Sequence, residues 1–121
     1  MLNEKIKKIL NSMKGNNDFE NFVIDDIIDN IDNYENGLNY LKEVLQYGCI
    51  SGVVSSLITY EDTEDVFKNY FEEILDIYDD YKENFINEVN YNNLAWFAYE
   101  IVVDNIYYSN EIEEIKIEFD L

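Results

Sequence analysis

The sequence predicts an all-α fold, a compact bundle of about five helices in a single domain over residues 1–121. A chain of 121 residues suits one domain. Apolar residues make up 47 % of it, an ordinary globular fraction, and they include the aromatic side chains that disordered acidic tails lack. In most segments the apolar residues recur at helical spacing, which indicates amphipathic helices.

Two helices are predicted before residue 36. The first covers residues 2–14, and one side of it carries Leu2, Ile6, Ile9, Leu10 and Met13. The second covers about 18–35, with Asp18 as its predicted N-terminal cap. Its apolar residues are Phe22, Ile24, Ile27, Ile28 and Ile31.

Two longer helices are predicted next. One covers about 38–60, with a bend near Gly48. The other covers about 63–85 and has the clearest periodicity in the chain. Its apolar residues are Phe67, Tyr70, Phe71, Ile74, Ile77, Tyr78 and Tyr81.

The fifth predicted helix, about 93–109, is apolar almost all round. Such a helix belongs in the middle of a bundle. In the tail after it, apolar and charged residues alternate over 115–119, which favours a short C-terminal β-strand. A lone strand needs a partner, and a second copy of the chain could supply one, so a homodimer is an open alternative.

Acidic residues far outnumber basic ones. The chain has eight lysines, no arginine and 27 acidic residues, which gives a formal net charge of −19. Residues 1–14 carry a net charge of +3, and residues 15–121 carry −22. This balance excludes nucleic acid as a direct ligand, because phosphate binding needs lysine and arginine.

The absence of histidine removes most catalytic and metal-binding chemistry. No Ser–His or Cys–His pair, zincin motif or Glu-x-x-His di-iron site can form. We therefore expect no catalytic residue, no metal, no cofactor and no enzymatic activity. The single cysteine, Cys49, excludes an intramolecular disulfide, and no signal peptide or membrane-spanning run is evident, so we expect a cytoplasmic protein.

The second and fourth predicted helices concentrate acidic residues opposite their apolar sides. A single stripe of this kind is typical of a solvated helix face. Here, however, self-repulsion opposes folding, and few lysines relieve it after residue 15. We therefore predict that the stripes form a face that binds a basic protein surface. That face consists of Asp25, Asp29, Asp32, Asp65, Glu72, Asp76, Asp79 and Glu83.

Two other segments have spacings that suggest sites. The small residues of Gly48-Cys49-Ile50-Ser51-Gly52 predict close helix packing, with a ligand-binding face as the alternative. Counted from Asp32, a glycine falls at position 6 and Glu43 at position 12, as in an EF-hand. Position 3 is Tyr34, which supplies no suitable ligand oxygen, so we interpret this match as accidental.

Three short blocks resemble a small, uncharacterised domain family of bacteriophages and prophages. They are the Gly-Cys-x-Ser-Gly block at 48–52, the Asp62-Thr63 turn and Leu94-Ala95-Trp96-Phe97. The resemblance covers about residues 38–106 and excludes 1–36 and the tail. It implies a phage or prophage source and the cytoplasm of a bacterial host, but no catalytic or binding residue carries over. By analogy, small acidic phage proteins often bind host machinery.

The charge and the resemblance together predict an inhibitor of a host defence enzyme that binds nucleic acid. Its target would be a CRISPR effector or a restriction enzyme, whose basic surface it would occupy. Two alternatives stay open. One is a module that binds a small ligand or a protein through the face between Gly48 and Gly52. The other is a dimeric structural or regulatory phage protein joined through its tail strand.

Overall fold

The computed structural model describes residues 2–31 and 62–118, which form six α-helices and contain no β-strand. The all-α prediction is therefore confirmed. The predicted helix at 38–60, the segment 48–52 and the EF-hand-like segment starting at Asp32 lie outside the described residues. The helices are α1 (Leu2–Ser12), α2 (Asp18–Ile31), α3 (Asp62–Asn69), α4 (Phe71–Tyr81), α5 (Tyr91–Tyr107) and α6 (Asn110–Glu118).

Asparagine side chains fix the turn between α1 and α2. The backbone N–H of Glu20 donates to Oδ1 of Asn17 (3.0 Å), so Asn17 caps α2, and the prediction that Asp18 is the cap is wrong. The side chain of Asn21 accepts a hydrogen bond from the N–H of Gly15 (3.1 Å) and donates one to its carbonyl oxygen (2.9 Å). These bonds hold the two helices together as a short hairpin.

The predicted single helix over 63–85 is divided at Tyr70, so that prediction is wrong in its continuity. Tyr70 leaves the helical conformation (φ −131°, ψ 29°) and separates α3 from α4. Its ring packs against Phe19 and Phe22 of α2, with centroid distances of 5.8 and 5.2 Å. After α4, one 3₁₀ turn (Lys82–Asn84) ends the helical segment.

Helix α5 lies in the middle of the bundle, as its nearly continuous apolar surface predicted. It packs mainly on α3 and α4 and also contacts α2 and α6. Its buried residues are Leu94, Ala95, Ala98, Tyr99, Val102, Val103 and Ile106. Helix α1 packs on α2 and α6, which closes the bundle on the other side.

The tail residues up to Glu118 form helix α6, so the prediction of a C-terminal strand is wrong. Ile112 and Ile115, three residues apart, are both buried on one side of this helix, whereas Ile117 is exposed. The Lys5 ammonium group pairs with the Glu118 carboxylate and ties the end of α6 to α1. The described tail residues therefore provide no β-strand through which two copies of the chain could pair.

The N-terminus of α5 depends on one side chain. Oδ1 of Asn90 accepts the backbone N–H of Asn93 at 2.9 Å, which satisfies one of the free amides of the first turn. We expect Asn90→Ala to lower the free energy of unfolding by about 1 kcal/mol, measured by urea denaturation. Asn87→Ala, at an exposed position of the same loop, is the matched control. An equal loss in both variants would contradict the capping role.

Within the described ranges, every helix is too short or too polar to cross a lipid bilayer.

Candidate functional site: the acidic arm of α3 and α4

Helix α4 turns its acidic residues away from the core. Ile74 is fully buried, and Ile77 and Tyr78 pack against the core from the same side. At 100° per residue, Glu72, Asp76 and Asp79 lie on the opposite side, and all three are exposed. Burial of the apolar residues therefore fixes the direction in which these carboxylates point.

Residues 62–84, which we call the acidic arm, carry nine acidic residues and two lysines, a net charge of −7. Five of the eight residues predicted for the binding face are exposed here, namely Asp65, Glu72, Asp76, Asp79 and Glu83. The ion pair recorded within the arm joins Lys68 to Glu64 (3.1 Å) and involves none of the five. Among the described residues, none of the five has an ion-pair partner.

Within the described ranges, the α2 part of the predicted face has fewer exposed carboxylates without an ion-pair partner than the α4 part. Asp29 is exposed, but Asp25 forms an ion pair with Lys14, which neutralises its charge locally. Asp32 lies outside the described residues. The aromatic contacts of Tyr70 make α2 and the arm neighbours, so the structure brings the two predicted stripes onto adjacent helices. Within the predicted face, most of the charge without an ion-pair partner among the described residues therefore belongs to the arm.

The lysines of the N-terminal segment are largely used within the chain. Lys5 pairs with Glu118, Lys7 with Glu4 (3.0 Å) and Lys14 with Asp25. These partners all lie outside residues 62–84. The ion pairs of these three lysines therefore do not neutralise the arm.

Sequence analysis missed a carboxylate at the interface between α2 and α5. Asp26 is partly buried, and its Oδ2 accepts a hydrogen bond from the hydroxyl of the fully buried Tyr99 at 2.8 Å. Burial raises the pKa of the Asp26 carboxyl above its ordinary value. The Tyr99 hydrogen bond opposes that rise, and the charge of Asp29 adds to it. The position of Asp26 beside Ile27 on the edge of the apolar side of α2 was the available signal.

A second polar contact joins α3 to α5. Thr63 is fully buried, and its hydroxyl donates to Oδ1 of Asn92 at 2.7 Å. A buried hydroxyl needs such a partner, because leaving it unsatisfied costs about 1–3 kcal/mol. This bond anchors the start of the acidic arm on the central helix.

A small cleft of about 100 Å³ lies where α2 meets α5. Ile24, Val102 and Ile106 form its buried floor. Its volume is below the roughly 300 Å³ at which small-molecule sites begin, so this cleft is too small to enclose a drug-sized ligand. In the described part of the chain, no three His, Cys, Asp or Glu side chains are grouped so that they could hold a metal ion.

Comparison with known proteins gives a family but no activity. No curated protein and no solved structure matches the chain significantly. The model of a domain of unknown function, DUF7222, matches residues 3–114. That range includes most of the segment 1–36, which lies outside the resemblance described above, and nearly all of the six helices. The chain therefore belongs to the DUF7222 family.

Proposed function

We propose that this protein is a non-catalytic binding protein whose acidic arm occupies a basic surface of a nucleic-acid-binding protein. The observation that carries the proposal is the group of five exposed carboxylates on the arm, which have no ion-pair partner among the described residues. A monomeric surface usually mixes charges of both signs. An arm with a net charge of −7 is complementary to a surface rich in lysine and arginine.

The mechanism is competition with nucleic acid. Carboxylates one helical turn apart are about 6 Å apart along the axis, and phosphates follow each DNA strand every ~3.4 Å. The exposed stripe on α4, together with Asp29 on the neighbouring α2, can therefore engage several of the cations that grip phosphates. The finer proposal is a cytoplasmic inhibitor of a defence enzyme, a CRISPR effector or a restriction enzyme, and it rests on the phage resemblance alone.

Reversing the charges of the arm tests the proposal. The full-length protein is immobilised, and proteins of a bacterial lysate are captured at low salt, eluted with salt, identified and purified. We expect Glu72→Lys, Asp76→Lys and Asp79→Lys together to weaken binding of the purified partner at least about 100-fold, because apposed like charges cost several kcal/mol. Binding should also weaken steeply as salt rises.

A matched control separates the arm from net charge. Asp104→Lys, Glu111→Lys and Glu114→Lys make the same change in net charge at exposed positions of α5 and α6, and this variant should keep most of the binding. Equal losses in the two variants would show that only total charge matters. Unchanged binding in the arm variant would exclude the arm as the binding surface.

A further inference from the structure

We propose that the loop over residues 85–90, directly after the acidic arm, supplies the apolar anchor of the same interface through Ile86 and Val89. This inference rests on the proposed function, since it assigns a second contact with the same partner. The side chain of Ile86 is 90 % exposed, and that of Val89 is 61 % exposed. Isolated exposed apolar residues are common on protein surfaces, but the fixed conformation and the charged surroundings of this loop distinguish Ile86 and Val89 from them.

The beginning of the loop is fixed by the packing of the Phe85 ring between two helices. The Phe85 ring makes edge-on contacts with Tyr78 of α4 and Phe97 of α5, with centroid distances of 5.3 and 5.1 Å. The N–H of Phe85 donates to the carbonyl oxygen of Lys82 at 3.1 Å. Ile86 therefore extends from a residue that is itself packed between two helices.

The end of the loop is fixed by hydrogen bonds to the first turn of α5. Nδ2 of Asn93 donates to the carbonyl oxygen of Glu88 (2.8 Å), and Oδ1 of Asn90 accepts the N–H of Asn93 (2.9 Å). Val89 lies between these two anchored residues. A segment held at both ends loses little conformational entropy on binding, so it can present apolar side chains to a partner at low cost.

The charges around the loop indicate the kind of partner. Glu83 precedes the loop and Glu88 lies within it, and both are exposed. Interfaces commonly place a few apolar anchors inside a polar rim. The matching surface is an apolar recess bordered by lysine or arginine on the protein whose basic surface the arm occupies. A second copy of this chain is unfavourable, because each copy carries a charge of −19.

Two single substitutions test the loop. Ile86→Ser removes an anchor without changing charge. Ile117→Ser is its control, because Ile117 is 74 % exposed on α6 and is not part of the arm or the loop. We expect Ile86→Ser to weaken binding of the purified partner at least about tenfold and the double variant with Val89→Ser to weaken it further. Ile117→Ser should bind like the wild type, and thermal denaturation should show all three variants folded.

The outcomes separate this inference from the proposed function. If the double loop variant binds with wild-type affinity while the arm variant loses binding, the loop is not part of the interface and only the proposal for the arm remains. If the wild-type protein captures no salt-sensitive partner, both proposals fail. If sedimentation shows a wild-type dimer that Ile86→Ser dissociates, the loop is a self-association surface and the proposed partner is wrong.

Discussion

Phe19→Ala is expected to lower the free energy of unfolding by about 3–5 kcal/mol, the range for a phenylalanine removed from a packed core. Phe19 is fully buried near the start of α2. Its ring lies 5.8 Å from the Tyr70 ring and 6.2 Å from that of Phe22. The substitution leaves a cavity at the point where α2 meets the acidic arm. Because small domains have only about 5–15 kcal/mol of stability, a large fraction is lost.

Phe71→Ala provides the matched comparison. Phe71 follows Tyr70 directly, but its side chain is 48 % exposed, so its loss should cost about 1 kcal/mol or less. Both variants are measured by urea denaturation followed by circular dichroism. A loss below about 1 kcal/mol for Phe19→Ala, or equal losses for the two variants, would contradict the position of Phe19 in the core.

These two phenylalanines show a limit of helical spacing as well as its use, since the predicted apolar residues included the half-exposed Phe71 and omitted the fully buried Phe19. Spacing identifies the apolar side of each helix, and the burial of Ile6, Leu10 and Ile74 agrees with it. It cannot reveal the break at Tyr70, because Phe67, Tyr70 and Ile74 keep the same periodicity on both sides of it. The break accompanies ring contacts with α2, a helix about fifty residues earlier in the chain.

The tail shows a second limit. Alternation at 115–119 is typical of a strand, whereas the spacing of Ile112 and Ile115 is typical of a helix, and both patterns are present in the sequence. In the structure both isoleucines are buried in α6, which packs against α1 and α5. For such a short segment, tertiary packing overrides the local alternation that favoured a strand.

Some features of the candidate site could be predicted from the sequence, and others depend on tertiary contacts. The exposed carboxylates of α4 follow from amphipathic spacing, because a residue opposite Ile74 must face solvent. The pairing of Asp25 with Lys14 does not follow, since it depends on the turn between α1 and α2. Asp26 was missed because a residue at the edge of a helix face becomes buried only when a particular neighbour, here Tyr99 of α5, packs beside it.

Tyr99→Phe is expected to lower the free energy of unfolding at pH 7 by about 1–3 kcal/mol, because the partly buried Asp26 carboxylate loses a hydrogen-bond donor. Tyr108→Phe, at an exposed tyrosine, should have little effect. Asp26→Asn should act in the opposite direction and raise stability at pH 7. Asparagine keeps an oxygen that can accept the Tyr99 hydrogen bond, and it carries no charge that burial would penalise.

The pH dependence gives this pair its sharpest test. Burial raises the pKa of Asp26 in the folded protein above its ordinary value of 3.8. At pH values between 3.8 and the raised pKa, the folded state binds more protons than the unfolded state. The contribution of Asp26 to the free energy of unfolding therefore falls as pH rises through that window. The penalty is complete above the raised pKa and absent well below 3.8.

Asp26→Asn should therefore raise the free energy of unfolding most above that pH window and little at low pH. Asp104→Asn, which removes one exposed charge, should not reproduce that profile. A parallel shift of stability at every pH in Asp26→Asn would show that the carboxylate titrates normally in the folded state.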